Sequence, residues 1–103
     1  MKSLTDIRIQ LAAGLFEFTQ HALHRVVERN ISHAEIREAG FKSVIVEDYP
    51  ADKYSPSCLL LGFTLRKRAL DIQVSRAEQP KVKIITLYEP DPGEWIDFMQ
   101  RRI

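Results

Sequence analysis

The chain has 103 residues, 45% of them hydrophobic and 28% charged, with four glycines and five prolines. That composition belongs to one soluble globular domain and excludes disordered, collagen-like and low-complexity chains. A domain of this size builds one modest core, so any site on it must be shallow. Fifteen Lys and Arg against fourteen Asp and Glu leave a formal charge of +1, so bulk charge selects neither nucleic acid nor membrane as a partner.

A lone cysteine, Cys58, has no partner for an internal disulfide, and the first residues lack the apolar run of a secretory signal. The longest apolar run, Cys58 to Phe63, is far shorter than the ~20 residues of a membrane span. The expected compartment is the cytoplasm, with no membrane role.

In chain order, Ser3 is placed to cap a helix carrying Leu4, Ile7, Ile9, Leu11 and Ala12 that Gly14 ends. Thr19 is placed to cap a second helix, Gln20 to Arg29, in which Ala22, Leu23, Val26 and Val27 are expected to form the buried stripe, with Asn30 as a left-handed stop. Ser32-His33-Ala34-Glu35 reads as a capping box opening a third helix that Gly40 ends. Beyond Gly40 the period turns strand-like: Phe41 to Tyr49, Cys58 to Leu65, Ala69 to Val74 and Val82 to Tyr88 alternate with turn residues. The expected fold is α+β: N-terminal helices, with room for a short strand after the first, then a four-stranded antiparallel meander. Trp95, Phe98 and Met99, at helical spacing, predict a short C-terminal helix docked on the core.

Two sets of residues carry chemistry. Between Arg66 and Lys83 stand Arg66, Lys67, Arg68, Arg76, Lys81 and Lys83 against Asp71 and Glu78, a local charge of +4. Paired strands are expected to gather these cations on one sheet rim that could hold a phosphate backbone, the plain alternative being a solvated hairpin. His21, Arg25 and Arg29 are spaced i, i+4 and i+8 on one side of the second helix. There an imidazole can move a proton near neutral pH beside guanidiniums that neutralise phosphate charge; the alternative is a solvated helix face. Tyr49, Tyr54 and Tyr88 stand near strand or loop ends, where a phenol can reach a phosphate or base. His21, His24 and His33 lack zinc-site spacing, so no metal and no cofactor are expected.

Three segments, FTQHALHRVVERNISHAEI (Phe18 to Ile36), VEDYPADKYSPSCLLLGFTLRKRALDIQVS (Val46 to Ser75) and KIITLYEPDPGEWIDFMQRR (Lys83 to Arg102), resemble the bacterial domain-of-unknown-function 4258 family. Its His-Ala-x-x-Arg-x-x-x-Arg pattern is matched by His21, Ala22, Arg25 and Arg29, and its Tyr-Glu-Pro-Asp-Pro segment by Tyr88 to Pro92. The chain departs from the family at Asp71, where relatives often carry His. The resemblance implies a RelE-, barnase- and MqsR-like ribonuclease toxin fold, and a YgiT-type zinc-finger antitoxin encoded nearby as partner.

The expected activity is metal-independent endoribonuclease action of a type II toxin. RNA supplies its own nucleophile, the 2′-hydroxyl, so His, Arg, Lys and Tyr suffice. In that reading His21 is acid or base, Arg25 and Arg29 clamp phosphate, Lys83 adds charge and Tyr88 positions or protonates. The competing expectation is a non-catalytic nucleic-acid-binding or protein-interaction module, for instance a helix-turn-helix over Thr19 to Ala39.

Overall fold

A first helical turn leaves its amides unpaired, and side-chain hydroxyls satisfy them at the start of all three helices. The computed structural model describes residues 1–53 and 55–90, together with the backbone of Trp95–Ile96 and Gln100–Arg101. Ser3 accepts from the Asp6 amide at 3.1 Å and opens α1 (Leu4–Ala12). Gly14, at φ +77°, turns the chain into β1 (Phe16–Phe18). Thr19 accepts from the Ala22 amide at 3.0 Å and opens α2 (Gln20–Glu28). Asn30, at φ 52°, reverses the chain into the Ser32 and Glu35 capping box of α3 (His33–Phe41), with both reciprocal bonds present at 2.9 and 3.0 Å.

Four long strands follow: β2 (Val44–Tyr49), β3 (Ser57–Phe63), β4 (Ala69–Ser75) and β5 (Val82–Tyr88). They pair in sequence as an antiparallel meander, as expected. The sheet is nevertheless five-stranded and mixed, in the order β1-β5-β4-β3-β2, because β1 adds parallel to β5 with Phe16 opposite Val82 and Phe18 opposite Ile84. A three-residue strand is too short to show an alternation of its own; its partner, far along the chain, defines it.

The expected C-terminal helix is also corrected. Trp95–Ile96 (β6) pairs antiparallel with Gln100–Arg101 (β7), while Phe98 and Met99 lie outside the described residues. Adjacent Trp95 and Ile96, an aromatic and a β-branched residue, favour a strand.

All three helices pack on one sheet face, where Leu60, Leu70, Ile72, Val74, Ile84 and Leu87 meet Ile7, Leu11, Ala22, Ile36 and Ala39. Two glycines make this fit. A Cβ on Gly62 of β3 would lie 2.0 Å from the Ala39 carbonyl oxygen, and one on Gly40 would lie 2.5 Å from Leu11 Cβ. Gly40 is therefore a close approach inside α3, which runs on to Phe41. On the opposite face, cross-strand rows run Leu61, Asp71, Tyr88 and Leu59, Gln73, Thr86. Leu59, Leu61 and Asp71 are buried there, whereas Gln73, Thr86 and Tyr88 are half-buried. Among the described residues no helix is long and apolar enough to cross a membrane.

Candidate active site

At about 100° per residue, Ala22 and Val26 of α2 point one way, with Leu23 and Val27 on one flank and His21, Arg25 and Arg29 on the other. The sequence pattern places Leu23 and Val27 inside. The helix is instead rolled away from them: Ala22 is buried and Val26 packs on the core, but Leu23 is 48% and Val27 74% exposed. This roll swings the opposite flank toward β5, where His21 Nε2 lies 3.1 Å from Thr86 Oγ1.

Thr19 fixes the arrangement. Its amide donates to the Ile84 carbonyl at 3.0 Å, and the hydroxyl that caps α2 also donates to the Ile85 carbonyl at 2.8 Å. Ile85 falls at the register shift between β4 and β5, which turns Thr86 to the same face as Gln73. Helix start and strand irregularity thus lock together where His21 meets the sheet.

His21, Arg25, Tyr88 and Lys83 lie on the two elements of the α2–β5 seam, with Arg29 at the end of α2. Tyr88 follows Thr86 by two positions on the same face, opposite Asp71 of β4. Lys83 stands earlier on β5 and pairs with Glu17 of β1 at 3.1 Å. Arg25 is one turn beyond His21 and reaches Glu28 at 3.1 Å, and Arg29 is exposed at the end of α2.

The basic segment does not form the single rim expected of it. Successive turns of a meander lie at alternate ends of the sheet, and β4 separates Arg66, Lys67 and Arg68 from Arg76 and Lys81 by seven residues. Two of the cations are also held within the fold. Arg68, its side chain 23% exposed, donates to the carbonyls of Arg29 (2.8 Å) and Asn30 (3.1 Å), to both carboxylate oxygens of Glu35 (3.1 Å) and to Glu89 (3.2 Å). It ties the α2–α3 turn to the β3–β4 turn. The hydrogen bond to Glu89, then those to Glu35, hold its guanidinium protonated still more firmly than usual. The Ser32 amide, with a further contribution from Arg68, keeps the Glu35 carboxyl below its ordinary range. Arg76 donates to the Lys2 carbonyl at 3.0 Å and pairs with Asp48 at 3.4 Å. Arg66, Lys67 and Lys81 are exposed and make no ion pair among the described residues.

Other residues singled out by sequence serve the fold. His33 stacks on Phe16 with ring centroids 4.6 Å apart and abuts Gly14, and His24 is exposed on α2. Cys58 is buried, and burial pushes its thiol up to about 11. Tyr54 lies outside the described residues. Among the described residues no three His, Cys, Asp or Glu side chains converge as a metal site would require.

Sequence reasoning missed Thr86, which meets His21, and the polar group on the strands beyond it. Gln73 stands beside Thr86 across the β4–β5 pair, and its amide nitrogen reaches Ser57 Oγ at 3.3 Å and Asp52 Oδ2 at 3.5 Å. Ser57 donates to the same Asp52 oxygen at 2.6 Å, and Tyr49 donates to Glu47. An open cleft of about 470 Å³ lies over this group, lined by Tyr49, Pro50, Ala51, Asp52 and Gln73. The available signal was a polar residue at alternate positions of otherwise apolar strands, Gln73 in ALDIQVS and Thr86 in VKIITLY.

The family model described as "Domain of unknown function (DUF4258)" matches residues 18–89, from the end of β1 to the residue after β5. No curated protein and no solved structure matches the chain.

Proposed function

This chain belongs to the DUF4258 family, and we propose that it is an endoribonuclease of the toxin type, cutting RNA through the substrate's own 2′-hydroxyl at the α2–β5 seam. The observation that carries this reading is the exposed His21 imidazole held at 3.1 Å by Thr86. The helix holds it there while leaving Leu23 and Val27 in solvent. One nitrogen engaged by a hydroxyl fixes the ring, and the other is the group assigned here to proton transfer.

In the proposed reaction His21 removes the 2′-hydroxyl proton, and O2′ forms a bond to phosphorus as the bond from phosphorus to O5′ breaks. The products are a 2′,3′-cyclic phosphate and a 5′-hydroxyl, whose oxygen takes its proton from Tyr88. Arg25 and Arg29, along the same helix flank, and Lys83 on β5 neutralise the charge that builds on the phosphoryl oxygens. The exposed Arg66, Lys67 and Lys81 supply longer-range attraction for the RNA backbone. A YgiT-type zinc-finger antitoxin is the partner we infer, with an acidic or extended segment laid over the seam; its affinity should fall as salt rises above 0.1 M.

The test is cleavage of a short single-stranded RNA beside the same sequence with every 2′-hydroxyl replaced by hydrogen. The RNA should be cut to a cyclic phosphate end, with His21→Ala slower by about 10²- to 10⁴-fold, and the deoxy strand should survive. Cleavage of the deoxy strand, or no cleavage of RNA by folded protein free of its partner, overturns the reading.

A further inference from the structure

We propose that the cleft beside Gln73 is a subsite for a guanine base of the RNA, placing its sugar and phosphate at His21; the inference rests on the nuclease reading above. The cleft is built from the loop after β2 and from β4, and Gln73 is its wall nearest the seam. Gln73 pairs directly with Thr86, which holds His21. Gln73 at the edge of the cleft and Thr86 at the histidine thus stand on neighbouring strands, about 4.8 Å apart.

The chemistry of the cleft selects the base. Tyr49, Pro50 and Ala51 give it a largely apolar wall against which a planar ring can lie. Asp52 is anchored through Oδ2, which receives both Ser57 and Gln73, so the carboxylate is fixed while Oδ1 makes no hydrogen bond among the described residues. The Gln73 amide spends its nitrogen on Ser57 and Asp52, which leaves its carbonyl oxygen to accept. Two neighbouring acceptors require two neighbouring donors. Of the four RNA bases only guanine offers them, as N1–H beside N2–H₂. Adenine and cytosine present an amine beside an acceptor nitrogen, and uracil presents one N–H between two carbonyls. An arginine side chain of a partner protein has a similar donor pair but lacks the base's broad ring, and the cleft's apolar wall and the pairing of Gln73 with Thr86 favour the nucleotide.

The experiment titrates full-length protein with 3′-GMP, 3′-AMP, 3′-CMP and 3′-UMP, and separately with an arginine-containing tripeptide. Backbone and side-chain amide NMR signals of Ala51, Asp52 and Gln73 report binding. We expect 3′-GMP to bind roughly 5- to 150-fold more tightly than the other three, the worth of one bidentate base contact. Asp52→Asn, and independently Gln73→Met, should erase that preference with the remaining amide spectrum unchanged. A parallel cleavage map separates the two readings. RNA cut at all four bases alike, unaltered in Asp52→Asn, overturns the subsite and leaves the nuclease standing. A 3′-GMP preference in a protein that cuts no RNA supports the subsite and overturns the nuclease. Equal binding of the four nucleotides, or shifts given by the arginine peptide alone, overturns the subsite.

Discussion

Replacing Arg68 by alanine removes a side chain that touches the α2–α3 turn, the first turn of α3 and the residue after β5 at once. Its contacts comprise the two carbonyls of Arg29 and Asn30, the Glu35 carboxylate and Glu89. A buried hydrogen bond to a charged group is worth about 1.5–3 kcal/mol, but Arg68 and Glu35 keep 23% and 27% of their side-chain surface in water and Glu89 keeps 46%, so solvent screens each of these bonds. A loss of about 2–3 kcal/mol follows for Arg68→Ala, which for a domain of this length lowers the melting temperature by roughly 10–20 °C. Arg68→Lys should recover little, because an ammonium cannot span a carboxylate and two carbonyls as the planar fork does.

The pH dependence gives a second check. The Glu35 carboxyl is held below its ordinary value of 4.5, so its contribution is present in full above that value and is lost as pH falls through the lowered one. The Ser32 amide is the larger cause of that depression. The acid-side loss should therefore persist in part in Arg68→Ala and vanish in Glu35→Gln. Thermal unfolding followed by circular dichroism between pH 3 and 7 measures both effects. An Arg68→Lys protein as stable as the parent, or an Arg68→Ala protein within about 0.5 kcal/mol of it, would refute the reasoning.

His21→Ala should lose about 10²- to 10⁴-fold in single-turnover RNA cleavage while its melting temperature stays near that of the parent, since the imidazole is exposed; loss of both together would make His21 a structural residue. Gly62→Ala places a methyl group 2.0 Å from the Ala39 carbonyl oxygen, so it should cost about 3 kcal/mol or more, visible as loss of soluble folded protein; an unchanged denaturant midpoint would contradict that contact. Cys58, with its thiol raised to about 11 and fully buried, should resist a disulfide reagent at pH 8 in the folded protein and react at once in denaturant. Prompt labelling without denaturant would place it at the surface. Dissociation of the proposed antitoxin complex should accelerate with added salt, and an affinity indifferent to salt would point to an apolar interface such as the exposed Leu23 and Val27 flank.

Features decided within a few residues were readable from sequence. The caps at Ser3, Thr19 and Ser32 and the reversal at Asn30 each depend on neighbours no more than four positions away, and the strand Val82–Tyr88 is bounded by its own turn residues. Features decided at a distance were not. There was room for a short strand after α1, but its place in the sheet, parallel to β5, depends on Val82 and Ile84 receiving it. The roll of α2 is set by Thr19 bonding Ile84 and Ile85, so Ala22, Leu23, Val26 and Val27, indistinguishable as a stripe in sequence, divide into two inside and two outside. The +4 segment failed for a related reason: linear proximity joins Arg66 to Arg76, but a full strand stands between them. In the candidate site His21, Arg25 and Arg29 were legible from their spacing, whereas Thr86, Gln73 and Asp52 come together only across strands and a loop.

The pairing of β1 with β5 sets an order of events during synthesis. Phe16 must wait for Val82, and His21 for Thr86, a separation of 65 residues. Helices α1 and α2 leave the ribosome early, but nothing holds the second against a sheet until the last long strand has emerged, several seconds later at about 5–20 residues per second. Contacts of such long range are also the slowest to form. The seam around His21 is therefore completed at the end, and a chain cut short before Thr86 contains the histidine without the strand that positions it.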